Sequence, residues 1–130
     1  MPVQLQPIEQ PGTAEVAALN KIYGNQPGRE ADASWFGARV QNGERCFGAS
    51  FNGTIIAALW LRPGIKSWEI TDITVRDITR RRGVARQMLA LLIKMADAHE
   101  TALLCNQCFA PLAEPLREFG FRATHNGWQR

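Results

Sequence analysis

The residues from Arg45 to Val75 constrain the fold more than any other part of this chain. From Arg45 the apolar period is two: "RCFGASF", then Asn52-Gly53, then "TIIAALWLR". Asn-Gly is the pair that a type I′ turn selects, because both central residues need φ > 0. The segment therefore reads as a β-hairpin. Pro63-Gly64 marks the next turn, and another strand runs from about Ser67 to Val75. Adjacent hairpins commit this half of the chain to a largely antiparallel sheet.

That last strand has an irregular phase. Trp68 and Ile70 are in step with each other, as are Ile73 and Val75, but the two pairs are one residue out of register. A β-bulge between them would flip the phase and bend the strand. A strand buried on both faces would give the same pattern.

The other elements follow from local signals. Val3, Leu5 and the region to Ile8 alternate as a first strand. Thr13 is a candidate N-cap for a helix from Ala14 to about Tyr23, whose apolar face is Val16, Leu19, Ile22 and Tyr23. Trp35 and Phe36 dock a short helix or loop on the core. Val84, Met88, Leu91, Leu92 and Met95 form the stripe of an amphipathic helix that reaches about His99. "TALLC" is a short strand, Pro111 to Phe119 a helix with Gly120 as its αL cap, and "FRATHNGW" a final strand. The order is β-α-(α)-β-β-β-α-β-α-β. The fold class is α/β: one domain of 130 residues, with a mixed, largely antiparallel sheet flanked by helices.

Composition narrows the function classes. Charged residues are 21% and hydrophobic residues 45%, as in an ordinary globular protein. Three cysteines are an odd number, which excludes a complete disulfide framework. "MPVQLQPIEQPG" lacks the basic and apolar regions of a signal peptide, and no apolar run approaches the ~18 residues that span a bilayer. A cytoplasmic protein without a membrane partner is expected. The net charge of +3 suits a small anionic ligand or an acidic protein surface as well as nucleic acid.

"TRRRGVARQ", Thr79 to Gln87, stands where a strand ends and a helix begins. A helix start leaves about four backbone N–H groups without partners and carries roughly half a positive charge. Gly83 has no Cβ to obstruct an anion, and Ala85 keeps the next turn clear. Arg80, Arg81, Arg82 and Arg86 add attraction and forked donors for phosphate oxygens. The chemistry is that of a polyphosphate cradle. A solvated basic turn is the structural alternative. A nucleic-acid patch is disfavoured, because no aromatic residues interleave with the arginines to stack on bases.

"RRRGVA", Arg80 to Ala85, resembles the Q/R-x-x-G-x-G/A motif of GNAT-type N-acetyltransferases, and Val75 ends the preceding strand at the expected distance. The resemblance implies a GNAT-like fold that binds acetyl-CoA or CoA. In that family the loop holds the pyrophosphate, here Thr79, Arg80, Arg81, Arg82, Gly83, Val84, Ala85 and Arg86. The preceding strand is bulged, and its backbone, here Ile73, Thr74 and Val75, bonds the pantetheine arm. "LREFGF", Leu116 to Phe121, is similar to the helix–Gly–Phe junction that closes many such domains. "FNGTIIAALWL", "ITVRDITRRRGVA" and "LREFGFRATHNGW" resemble stretches of the PanZ (PanM) group. These small GNAT proteins associate with the aspartate α-decarboxylase proenzyme and promote its self-cleavage to the pyruvoyl form, regulating the route to pantothenate and CoA. The resemblance places Asn52, Arg80 and Arg81 on the partner side.

Acetyl transfer to an amine needs a base, a donor for the thioester carbonyl, and an acid for the leaving thiolate. GNAT enzymes often supply that acid as a Tyr four residues before the Gly-Phe pair. Here that residue is Leu116, and the chain's one tyrosine, Tyr23, is expected to pack in the first helix. Glu69 and Asp72 are candidate bases, with solvated or arginine-paired carboxylates as the alternative. Cys108 is a candidate acid in place of the tyrosine. Two functions of different class therefore stay open: an acetyl-CoA-dependent maturation factor, and an N-acetyltransferase for a small amine or a protein N-terminus.

Cys105 and Cys108 have C-x-x-C spacing. A redox pair would sit at a helix start, and a zinc site would need two further ligands, so semi-buried thiols at a strand end are the simpler reading. No metal site is expected. His125 and Asn126 read as a turn before Trp128, which covers the core. Trp60 and Trp68, on neighbouring strands, are expected to pack across the sheet or line a cleft.

Overall fold

A computed structural model describes residues 2–24, 31–76, 83–105, 113–125 and 127–130. One mixed sheet of seven strands runs through it: β1 (Gln4–Ile8), β2 (Arg45–Phe51), β3 (Thr54–Pro63), β4 (Ser67–Val75), β5 (Ala102–Cys105), β6 (Arg122–Ala123) and β7 (Trp128–Gln129). The spatial order is β1-β2-β3-β4-β5-β7-β6. Every neighbouring pair is antiparallel except β4 and β5. Parallel neighbours need a crossover, and α3 (Val84–Ala98) makes it.

Helices cover both faces. Beneath α3, the core gathers Ile56, Leu59, Leu61, Ile70, Ile73 and Val75 with Val84, Met88, Leu89 and Leu92. On the opposite face, α1 (Thr13–Tyr23) and α2 (Ala33–Gln41) bring Leu19, Ile22 and Phe36 onto Ile55, Ala58 and Trp60. Double coverage corrects the period-two expectation for β3, which is a nearly continuous apolar run and not an alternating one. Each of its residues from Ile55 to Leu61 is buried.

The β2–β3 hairpin turns at Asn52 and Gly53, with φ of 50° and 80°. Both central residues are left-handed, as the type I′ turn requires. The irregular strand is resolved in favour of the bulge. Trp60 pairs with Asp72 and Leu61 with Ile70, so Thr71 is the extra residue on β4. Ile70, Ile73 and Val75 thereby all join the core beneath α3. The last short helix, α4 (Ala113–Glu118), ends as expected on Gly120, whose φ is 89°. Phe121 N–H donates to the Leu116 carbonyl and Gly120 N–H to that of Arg117, the paired bonds of a Schellman cap.

Several sequence expectations are corrected. Thr13 is the first residue of α1 and not its cap; Gly12 is the cap, and its N–H donates to Glu15 Oε1 at 3.2 Å. Of the two forms expected at Trp35, the short helix stands and not the loop: nine residues, capped by Asp32 through a 2.8 Å bond from Trp35 N–H. The buried face of α3 is centred on Val84, Met88, Leu89, Leu92, Ile93 and Ala96, with Leu91 and Met95 only half-buried at its margin. The closing strand is two strands, β6 and β7, paired with each other. Trp60 and Trp68 do not pack together. Trp60 belongs to the core under α1 and α2, while Trp68 lies on the other face beside His99. The start of the expected helix at Pro111 lies outside the described residues, as does Asn126. Trp128 is buried in the core, as expected of a covering residue.

Candidate functional site

Where β4 leaves the sheet and α3 begins, the backbone takes a form suited to an anion. Gly83 caps α3 with φ 70° and ψ 20°, in the left-handed region. It is exposed, and a Cβ built on it would meet no atom within 4 Å. The first helical bond runs from Gln87 N–H to the Gly83 carbonyl at 3.1 Å. The amides of Val84, Ala85 and Arg86 therefore precede the helical ladder, at the positive end of a fifteen-residue dipole. No side chain caps this end among the described residues. An open approach over a glycine onto uncommitted helix-start amides fits the phosphates of a nucleotide.

The side chains around it divide by role. Val84 is fully buried and anchors the helix start in the core. Ala85 is half-buried, and Arg86 is exposed with its guanidinium 2.7 Å from Glu118 on α4. Thr79, Arg80, Arg81 and Arg82 lie outside the described residues. On β4, Ile73 and Val75 turn their side chains into the core, and Thr74 stays half-buried. The three pair with Leu59, Ala58 and Ala57 of β3. Among the described residues, β4 pairs with β5 from Ser67 to Glu69. β4 keeps its β3 partner past the bulge, as far as Val75. Asn52 is exposed at the tip of the β2–β3 hairpin.

Two of the catalytic candidates, Glu69 and Asp72, are engaged elsewhere. Glu69 receives Arg62 NH1 at 3.2 Å across the β3–β4 pair, an arginine-paired carboxylate. Asp72 Oδ2 accepts Tyr23 Oη at 2.6 Å and Thr74 Oγ1 at 2.9 Å. Tyr23 is thus more than packing: it ties the end of α1 to β4. Burial pushes its phenol well above the ordinary tyrosine value of 10.0, and the Asp72 charge adds to the shift. Leu116 is fully buried in the core beneath α3. Cys108 lies outside the described residues. Cys105 and Cys46 are buried, and burial pushes the Cys46 thiol up to about 12. Such a thiol is inert at neutral pH. Among the described residues, no group of acidic, His or Cys side chains could hold a metal. None of their helices is long and apolar enough to cross a membrane.

Sequence reasoning missed a polar cluster on the α1–α2 face. Glu44, in the turn before β2, is only 6% exposed and is the one buried charged residue among those described. Its Oε1 accepts from Arg39 NH2 at 2.8 Å and from Thr71 Oγ1. The Arg39 guanidinium lies 4.5 Å over the Trp60 ring and 5.3 Å from that of Trp35. The phase slip in β4 was a usable signal for Thr71; nothing local marked Glu44.

The family model for the acetyltransferase (GNAT) domain PanZ matches residues 2–129. No curated protein matches the chain. Among solved structures, the chain is similar to YhhK of Escherichia coli, solved bound to coenzyme A. The TM-score is 0.71 at 19% identity, covering 100% of this chain and 98% of that one. It is also similar to the ribosomal-protein-S18-alanine N-acetyltransferase of E. coli, with TM-score 0.73, 16% identity and coverage of 98% and 88%. A GNAT family acetyltransferase of Elizabethkingia anophelis, solved with acetyl-CoA, gives TM-score 0.66, 18% identity and coverage of 94% and 77%. At these identities the structures speak for the fold, which is the GNAT fold. With the family model spanning nearly every residue, the chain belongs to the PanZ family of GNAT acetyltransferase domains.

Proposed function

We propose that this protein is a cytoplasmic CoA- or acetyl-CoA-dependent maturation factor. In that reading it promotes and regulates self-cleavage of the aspartate α-decarboxylase proenzyme to its pyruvoyl form. The observation that carries the proposal is the PanZ family match over residues 2–129. The open left-handed Gly83 at the start of α3 supports the cofactor half of it. Thr79 to Arg86 would hold the phosphates, and the backbone of Ile73, Thr74 and Val75 the pantetheine arm. When bound, acetyl-CoA would supply a reactive thioester; maturation uses its presence and not its reactivity. Leu116 has no proton to give to a thiolate, which supports a non-catalytic role. Asn52, Arg80 and Arg81 are assigned to the partner side.

The test mixes the purified protein with the proenzyme from the same organism, with and without acetyl-CoA, and follows chain cleavage on a gel. Acceleration only when both are present is expected. Gly83→Trp should abolish that acceleration and the calorimetric binding of acetyl-CoA. Its left-handed φ costs a side chain about 1–2 kcal/mol, and a Cβ there meets no atom within 4 Å, so the fold should persist. No acceleration, with acetyl-CoA still bound, overturns the maturation reading and favours an N-acetyltransferase for a small amine or a protein N-terminus. Unchanged binding by Gly83→Trp overturns the phosphate loop.

A further inference from the structure

Thr71 is the extra residue of the β4 bulge. A bulge leaves one residue unpaired in the ladder, so something outside the ladder must hold it in place. Here two polar ties hold two consecutive residues. Thr71 Oγ1 donates to Glu44 Oε1, and Asp72 Oδ2 accepts from Tyr23 Oη at 2.6 Å. In a regular strand, consecutive side chains point to opposite faces. Thr71 and Asp72 both reach partners on the α1–α2 face, the inversion that a bulge produces. The next residues, Ile73 to Val75, carry the strand onward to the start of the α3 loop.

Glu44 is a costly residue for this place. Burying a carboxylate is unfavourable unless it is paired and hydrogen-bonded, and apolar replacements are often as stable or more so. Arg39 supplies the pairing at 2.8 Å, and is itself held over Trp60, whose β4 partner is Asp72. The same carboxylate oxygen takes both Arg39 and Thr71. What this arrangement provides beyond an apolar contact is direction: it fixes where the unpaired residue sits.

We infer that Thr71 and Glu44 are positioning residues that lock the β4 bulge and so set the backbone of Ile73 to Val75 for the pantetheine arm. This rests on the reading that β4 beyond the bulge carries that arm. The clamp acts on β4 and not on the α3 start, so it distinguishes the two ends of the ligand. Coenzyme A has a pantetheine arm; adenosine 3′,5′-bisphosphate has only the nucleotide end.

The experiment measures calorimetric affinity for both compounds in the wild type, Thr71→Val and Thr71→Ser. Valine keeps the shape and removes the donor; serine keeps the donor. Thr71→Val should weaken coenzyme A by roughly fivefold to tenfold, a part of what losing a hydrogen bond to a charged acceptor costs the fold. It should leave adenosine 3′,5′-bisphosphate unchanged, and Thr71→Ser should bind both within about twofold of wild type. Should Thr71→Val fail to fold, Thr71→Ala removes the same donor and carries the same expectation. Equal weakening of both compounds, or no weakening of coenzyme A, overturns the inference and leaves the cofactor reading standing. A wild-type protein that does not bind coenzyme A overturns the cofactor reading, and the inference with it.

Discussion

Beneath α3 the sheet meets hydrocarbon: Val84, Met88, Leu89 and Leu92 are fully buried on Leu59, Ile70 and Ile73. Beneath α1 and α2 it meets a mixed layer. There Trp60 touches Phe36 and Trp35 with ring centroids 5.1 and 5.5 Å apart, Arg39 stacks on it, and Glu44, Thr71, Tyr23 and Asp72 are bonded in pairs. The first face is held by area removed from water, which is strong and has no direction. The second is held in part by hydrogen bonds, which contribute less net stability each but fix geometry. Both faces act on β4, one through Ile70, Ile73 and Val75, the other through Thr71 and Asp72. The comparison assigns stability mainly to one layer and placement of the strand mainly to the other.

Breaking the apolar face should have the largest effect. Leu92→Ala should cost about 2–5 kcal/mol of stability by urea unfolding. Coenzyme A affinity per folded molecule should be nearly unchanged. A selective loss of affinity would show that the α3 face also places the strand.

The mixed face should fail first in alkali. The Cys46 thiol is raised from 9.0 to about 12 and Tyr23 is raised from 10.0, so both folded-state values exceed the unfolded ones. The protonated forms are favoured by folding, so their contribution is complete below the unfolded values and is lost as pH rises through the folded ones. Urea midpoints should fall as pH climbs from 9.0 toward about 12. Cys46→Ala should flatten the beginning of that fall, and Tyr23→Phe the part above pH 10.0. Tyr23→Phe should also cost about 1.5–3 kcal/mol at neutral pH, the worth of a hydrogen bond to a charged acceptor. An alkaline limb untouched by both substitutions would place the sensitive groups elsewhere.

The smallest effect concerns neither layer. Arg86 and Glu118 form an ion pair in which both side chains are about half exposed, 48% and 45%. Such pairs contribute about 1 kcal/mol or less. If Arg86 turns to a bound phosphate, Glu118 competes with that phosphate. Glu118→Gln should then tighten coenzyme A by roughly twofold, an advantage that disappears at high salt. Weaker binding would mean that Glu118 holds Arg86 in the useful position.

What was legible in the sequence was local. Asn52-Gly53, the helix of α3 and the Gly120 cap each depend on residues within a few positions, and each stands in the structure, with the buried face of α3 turned from the expected stripe. The phase slip in β4 offered the bulge as one of two readings, and the pairing of Trp60 with Asp72 and Leu61 with Ile70 decides for it. The mixed layer left no such signal. Tyr23 meets Asp72 across 49 residues and Glu44 meets Thr71 across 27, and neither pairing has a spacing that a reader could recognise. Thr13 was misread because a threonine at a helix start resembles a cap, while the glycine before it has no side chain to announce the role. The closing hairpin was missed because its strands are only two residues each, too short for any period.

The tryptophans fall evenly across the sheet: Trp35 and Trp60 on the side of α1 and α2, Trp68 and Trp128 on the side of α3. The two layers therefore carry separate chromophores. With Trp68 and Trp128 replaced by phenylalanine, the remaining indole signal in near-ultraviolet circular dichroism comes only from the side that grips the bulge. Packing around Thr71 can then be followed optically, with no label attached and with the opposite layer silent.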